Sequence, residues 1–143
     1  MKLRDIMTNQ VIKIQPEETV AVAARMLEHN NIGAMPVCSN DGRLCGMVTD
    51  RDIVTRCLAS GKAPERTSVS EIMTSKIYVG RPDMEVSMAS GLMGREQIRR
   101  LPVMQGGKLC GMVSLGDIAR REESRREARD ALTEISSHLS SRE

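Results

Sequence analysis

The chain carries one pattern twice. Shifted by 66 positions, Ile6-Met7-Thr8 falls on Ile72-Met73-Thr74, Pro16 on Pro82, Val20 on Val86, Ala23 on Ala89, Ile32 on Ile98 and Pro36-Val37 on Pro102-Val103. One residue is lost in the turn that follows. Leu44-Cys45-Gly46-Met47-Val48 then matches Leu109-Cys110-Gly111-Met112-Val113 without exception, and Asp52-Ile53 matches Asp117-Ile118. Ordered matches with a single gap point to one supersecondary unit built twice.

Each copy reads the same way. A short β-branched or aromatic segment, Val11-Ile12-Lys13-Ile14 or Ile77-Tyr78-Val79, predicts a strand. Pro16-Glu17-Glu18-Thr19 or Pro82-Asp83-Met84-Glu85 then opens a helix with acids near its positive end. Val20, Ala23, Ala24 and Leu27 give that helix one apolar face. A hairpin follows, Ala34–Cys38 with the Leu-Cys-Gly-Met-Val strand in copy one and Arg100–Met104 with its twin in copy two. A second helix closes each repeat, from about Asp50 to Leu58 or Gly116 to Arg121.

The predicted fold class is therefore α/β (α+β), with two strand–helix–strand–strand–helix repeats. A unit of ~50 residues with one small sheet exposes too much apolar surface to stand alone. The two copies are expected to cover each other about a pseudo-two-fold axis, with clefts where they meet. The expected boundaries are 1–60 for repeat one, 61–68 for a polar linker, 69–121 for repeat two and 122–143 for a charged tail. In the tail Ala128, Leu132, Ile135 and Leu139 recur at three and four, which suggests an amphipathic helix. It either binds a partner or stabilises a dimer, or is simply solvated.

Composition narrows the function. Of 143 residues 40% are hydrophobic and 28% charged, a soluble globular balance. There is no Trp or Phe and one Tyr, so stacking platforms for single-stranded nucleic acid are missing. A net charge of +2 argues in the same direction. No apolar run approaches ~18 residues and the first residues do not form a signal peptide, so the expected location is cytoplasmic, with no membrane partner. Cys38, Cys45, Cys57 and Cys110 form no C-x-x-C pair and read as reduced, buried hydrophobes rather than zinc ligands. No nucleophile–base constellation and no Gly-rich phosphate loop is present, so no enzyme, metal or required cofactor is expected.

The distinctive element is the junction between the last strand and last helix of each copy. It reads Gly46-Met47-Val48-Thr49-Asp50-Arg51-Asp52 and Gly111-Met112-Val113-Ser114-Leu115-Gly116-Asp117. Two readings compete. A capping box, with Thr49 or Ser114 as N-cap and the acid three residues on reaching back, explains both polar groups without a ligand. The same corner could also meet a nucleotide: the hydroxyl at a phosphate, the carboxylate at a ribose diol.

These twin Gly-x-x-[Ser/Thr]-x-x-Asp motifs, the Ile-Met-Thr starts and the paired Pro-Val strands resemble a tandem pair of CBS (cystathionine-β-synthase) domains, the Bateman module, over about residues 1–120. The resemblance implies a regulatory or sensor module that binds AMP, ADP or ATP and, in some members, NAD or S-adenosylmethionine. It also implies disc-like homodimers that signal to a regulated partner. Carried over by position, Asp52 and Asp117 would hold ribose hydroxyls, and Thr49 and Ser114 would meet phosphate or ribose. Ile12 and Tyr78 would line the adenine, and Met35-Pro36 and Leu101-Pro102 would form an apolar wall. Each of these apolar positions reads equally well as core. Arg99 and Arg100, which stand where copy one has Gly33 and Ala34, would reach phosphates of a nucleotide whose ribose the other copy holds. With Arg51 adding charge beside Asp52, the Asp52 site is expected to be the stronger. The alternative is a ligand-free scaffold whose Thr/Ser-x-x-Asp motifs serve only as caps.

Overall fold

Helix, hairpin and short helix do recur, but the chain divides into compact units at other points than the repeat does. The computed structural model describes residues 1–121 and 125–140. One unit is Val11–Ile77; the other combines Met1–Gln10 with Tyr78–Glu143.

In the unit Val11–Ile77, α1 spans Val20–His29. Its N-cap is Thr19, whose hydroxyl accepts from the Val22 amide at 3.2 Å. The helix thus begins after Pro16-Glu17-Glu18, which form a turn ahead of it. Strands β1 (Ala34–Cys38) and β2 (Leu44–Thr49) pair antiparallel, with Val37 opposite Gly46. The chain then enters α2 (Asp50–Asp52), continues as a π-helical turn over Ile53–Leu58, and later forms α3 (Val69–Ile72). Val20, Ala23 and Leu27 of α1 pack with Met35, Val37, Val48, Cys57, Val69 and Ile72 in one core. Cys38 is buried too, and burial pushes its thiol pKa up, as a packed, reduced cysteine requires.

The other unit repeats this with α4 (Val86–Glu96), β3 (Arg100–Gln105), β4 (Lys108–Ser114) and α5 (Leu115–Ala119). Helices α1 and α4 both end through a left-handed residue, Asn31 at φ 52° and Gln97 at φ 61°, which occupy matching positions of the repeat. The unit then adds α6 (Arg125–Ser140). Ala128, Ala131 and Ile135 of α6 join Met93, Leu101 and Ile118 in the core. The apolar stripe of the tail therefore docks on its own unit. Leu132, expected in that stripe, is 45% exposed, and Ala131 is buried instead; the Leu139 side chain lies outside the described residues. Gly94 of α4 lets the helix come close, since a Cβ there would lie 3.3 Å from the Ala131 Cα and 2.6 Å from Glu134 Oε2.

The expected first strands shrink to single parallel bridges, Ile14 to Val37 and Gly80 to Val103. Proline explains this. Ile14 N donates to the Pro36 carbonyl (3.1 Å) and Cys38 N to the Ile14 carbonyl (2.8 Å). The next rung toward Ile12 would need an N–H on Pro36, which has none. Pro102 stops the ladder of Gly80 in the same way.

A different segment takes the free side of each hairpin. Met47 and Thr74 exchange two backbone hydrogen bonds (2.9 and 2.8 Å), as do Thr8 and Met112 (2.8 and 3.0 Å). The Ile-Met-Thr that opens each sequence repeat thus packs on the hairpin of the other repeat. This is why Gly46 and Gly111 recur: a Cβ at either would lie 2.6 Å from the Thr74 carbonyl or from the Met7 sulfur. Among the described residues no helix is long and apolar enough to cross a membrane.

Candidate functional site

Both junctions form a complete capping box. In the unit Val11–Ile77 the Thr49 hydroxyl accepts from the Asp52 amide (3.0 Å), and the Asp52 carboxylate accepts from the Thr49 amide (3.1 Å). In the other unit the Ser114 hydroxyl accepts from the Asp117 amide (3.0 Å), and the Asp117 carboxylate accepts from the Ser114 amide (2.8 Å). One carboxylate oxygen of each acid is used in this way. The second faces a guanidinium, Arg56 for Asp52 at 3.7 Å and Arg120 for Asp117. The Arg120 side chain is 72% exposed, so it can swing aside at little cost.

Beside the Ser114 corner lies a hollow of about 540 Å³. Arg99, Arg100, Ser114, Leu115, Gly116 and Ala119 line one side, and Ala128, Arg129 and Leu132 of α6 line the other. The hollow is cationic with apolar patches, and its size suits a small organic anion. In the unit Val11–Ile77 the matching region, about 590 Å³, is lined by Leu27, Glu28, Asn31, Gly33, Asp50, Ile53 and their neighbours. Its charged lining residues are acidic.

The sequence matches the profile of the CBS domain over residues 3–59 and again over 69–124. The chain belongs to the CBS domain family. It is 43% identical over 134 residues to the CBS domain-containing protein YhcV of Bacillus subtilis, covering 94% of each chain. The crystal structure of Hypoxic Response Protein I with two coordinated zinc ions superposes with a TM-score of 0.79 at 36% identity, covering 85% of this chain and 98% of that one. The CBS domain pair of the protein MJ0100, in complex with 5-methylthioadenosine and S-adenosyl-L-methionine, gives a TM-score of 0.76 at 27% identity, covering 84% and 94%.

Within this CBS pair the anticipated site residues fall in several places, with Thr49 and Asp52 in the capping box of the unit Val11–Ile77. Arg99, Arg100 and Ser114 share one hollow, and Asp117 stands at its corner through the box with Ser114. Met35, Pro36, Leu101 and Pro102 are buried in the strands; Met35 and Leu101 are fully enclosed by the two cores and offer no surface to a ligand. Ile12 (38% exposed) and Arg51 are open to solvent. Tyr78 is half-buried against its unit's core, and the neighbouring Glu96 carboxylate raises its phenol pKa. Among the described residues no group of three or more His, Cys, Asp or Glu side chains is placed to hold a metal. Arg129 does not emerge from the sequence, and Leu132 emerges only as part of the apolar stripe of the tail. Nothing in a tail rich in both charges singles out one arginine, and only the docking of α6 brings it to the hollow.

Proposed function

We propose that this CBS domain pair is a regulatory module that binds an adenine nucleotide, holding the ribose at an Asp carboxylate and the phosphate in the cationic hollow beside Ser114. The observation that carries the reading is the shared lining of that hollow by Arg99, Arg100 and Ser114. Two guanidiniums and a hydroxyl are the donors a phosphate takes. Asp117 sits next to them, and among the described residues its second oxygen is held by the exposed Arg120 alone. Displacing an exposed ion pair costs at most about 1 kcal/mol, less than a pair of hydroxyl hydrogen bonds to a carboxylate returns. The adenosine compounds bound by the MJ0100 pair support the adenine part of the ligand. Sequence reasoning ranks the Asp52 corner first. The cations, however, share a hollow with Ser114, so the Asp117 corner is the one we favour. A partner would read the bound state through whatever conformational difference the ligand stabilises, limited by its differential affinity.

One observation favours a second reading. Both acids already complete capping boxes and ion pairs, which is all a ligand-free scaffold needs. Thermal shift and calorimetry with AMP, ATP, NAD and S-adenosylmethionine distinguish the two. Ligand at 100 times its dissociation constant should add about 2.7 kcal/mol to wild-type stability. Asp117→Asn keeps an acceptor for the Ser114 amide, so it should fold normally yet lose most of the affinity. If none of the four compounds raises the melting temperature, the scaffold reading replaces the sensor.

A further inference from the structure

The hollow beside Ser114 has two walls of different origin. Arg99 and Arg100 lead into β3, and Ser114 ends β4; all three belong to the body of the unit. Arg129 belongs to α6, the last helix. The ion pairs among the described residues are Met1–Glu85, Lys2–Glu85, Arg56–Asp52 and Arg120–Asp117, so none of these three arginines has a described carboxylate within 4 Å. All three are exposed. Docking α6 therefore brings a third positive charge to a hollow that already carries two, which opposes docking.

The apolar contact on the other side of the balance is small. Among its described side chains, helix α6 buries two alanines and one isoleucine, and those exposed are charged or polar apart from Leu132. An anion seated between the walls would turn mutual repulsion into shared attraction. It would bind more tightly when α6 is docked and, by linkage, hold α6 more firmly in place.

We propose that α6 is a phosphate-sensitive wall of this site: Arg129 contributes a guanidinium to the phosphate of the bound ligand, and occupancy of the hollow fastens the helix to its unit. This rests on the nucleotide reading above and adds a further binding residue, the chemical group it recognises and the element that responds. Adenosine lacks that group, so its binding should be indifferent to Arg129.

The test uses the full chain, wild type, Arg129→Gln and Arg126→Gln. Arg126 is a solvent-exposed arginine of the same helix that does not line the hollow, so it controls for the charge change alone. Calorimetry is run with adenosine, AMP and pyrophosphate, and hydrogen exchange of the α6 amides is followed with and without AMP. The expected result is that Arg129→Gln weakens AMP about tenfold, leaves adenosine unchanged, and abolishes the AMP-dependent slowing of α6 exchange seen in wild type and in Arg126→Gln. Pyrophosphate should follow AMP, more weakly, if the phosphate group alone is recognised. Equal AMP affinity in wild type and Arg129→Gln would overturn the role of α6 while leaving the nucleotide reading standing. An equal loss for AMP and adenosine would also overturn it, because the effect would not be on phosphate. If wild type binds none of the three compounds, both readings fall together.

Discussion

The same groove is treated in opposite ways in the two units. In the unit that ends in α6, the space between α4 and α5 is covered by that helix, which buries Ala128, Ala131 and Ile135 there. In the unit Val11–Ile77, the matching space beside α1 and the turn Ile53–Leu58 stays open, leaving Val54 and Leu58 more than half exposed. One position differs where the helices approach. Gly94 lets α6 approach the α4 backbone, whereas Glu28 stands at the matching position of α1. A duplicated scaffold thus acquires a distinct hollow without changing its fold. The added helix covers one groove and, by carrying Arg129, adds a third positive charge to the hollow beside it, while the matching hollow has acidic lining residues.

The largest effect that could break this comparison is removal of the buried anchor of α6. Ile135→Ala should destabilise by about 2–4 kcal/mol in chemical denaturation, whereas Val54→Ala in the open groove should stay within about 0.5 kcal/mol. Equal, small effects would mean that α6 does not cover its groove.

Next comes Gly94→Ala. Alanine is the better helix former by about 1 kcal/mol, yet its methyl would press on Ala131 and Glu134. We expect a net loss of about 1–2 kcal/mol by the same measurement. A Cβ at Gly91, on the same helix, meets only the mobile Arg95 guanidinium at 3.3 Å, so Gly91→Ala should raise stability by about 0.5–1 kcal/mol. If the two substitutions shift stability in the same direction, the close approach of α6 at Gly94 is wrong.

The smallest effect concerns a cap that both units carry but build differently: in one the Asp5 carboxylate accepts from the Lys2 amide (2.8 Å), and at the matching position of the other a serine hydroxyl adds a second bond. The Glu71 carboxylate accepts from the Ser68 amide (2.8 Å) and the Ser68 hydroxyl (3.1 Å), which lower its pKa below the ordinary 4.5. A depressed carboxylate stabilises the fold above its unfolded pKa, and that contribution disappears as pH falls through the folded value. Glu71→Gln should therefore lower the melting temperature at pH 7, where the ionised carboxylate contributes fully, and converge on wild type as pH falls below about 4.5, flattening the acid limb. An unchanged limb would show that this box contributes nothing.

Much of this was legible from the chain alone because it is local. The first helices, the hairpins and both capping boxes follow from spacing and residue type within a few positions. What was not legible depends on long-range pairing or on size. The repeat places Ile72-Met73-Thr74 at the start of copy two, but only backbone pairing with Met47 reveals the hairpin it joins. The first strands looked continuous because Val11–Ile14 has strand composition; the missing N–H of Pro36, on the neighbouring strand, cuts the ladder. In the tail, hydrophobicity favoured Leu132 for the buried stripe, whereas the narrow gap over Gly94 selects Ala131. Of the site, the Ser/Thr-x-x-Asp corners and Arg99-Arg100 were readable, and the fourth side, Arg129, was not.

The proposed function is tested most directly by a crystal structure grown with AMP. We expect density for one nucleotide with its phosphate among Arg99, Arg100 and Ser114, and its ribose hydroxyls on Asp117 with Arg120 turned away. Crystals that diffract well at saturating AMP but hold no nucleotide, with both acids still closed in their capping boxes, would contradict it.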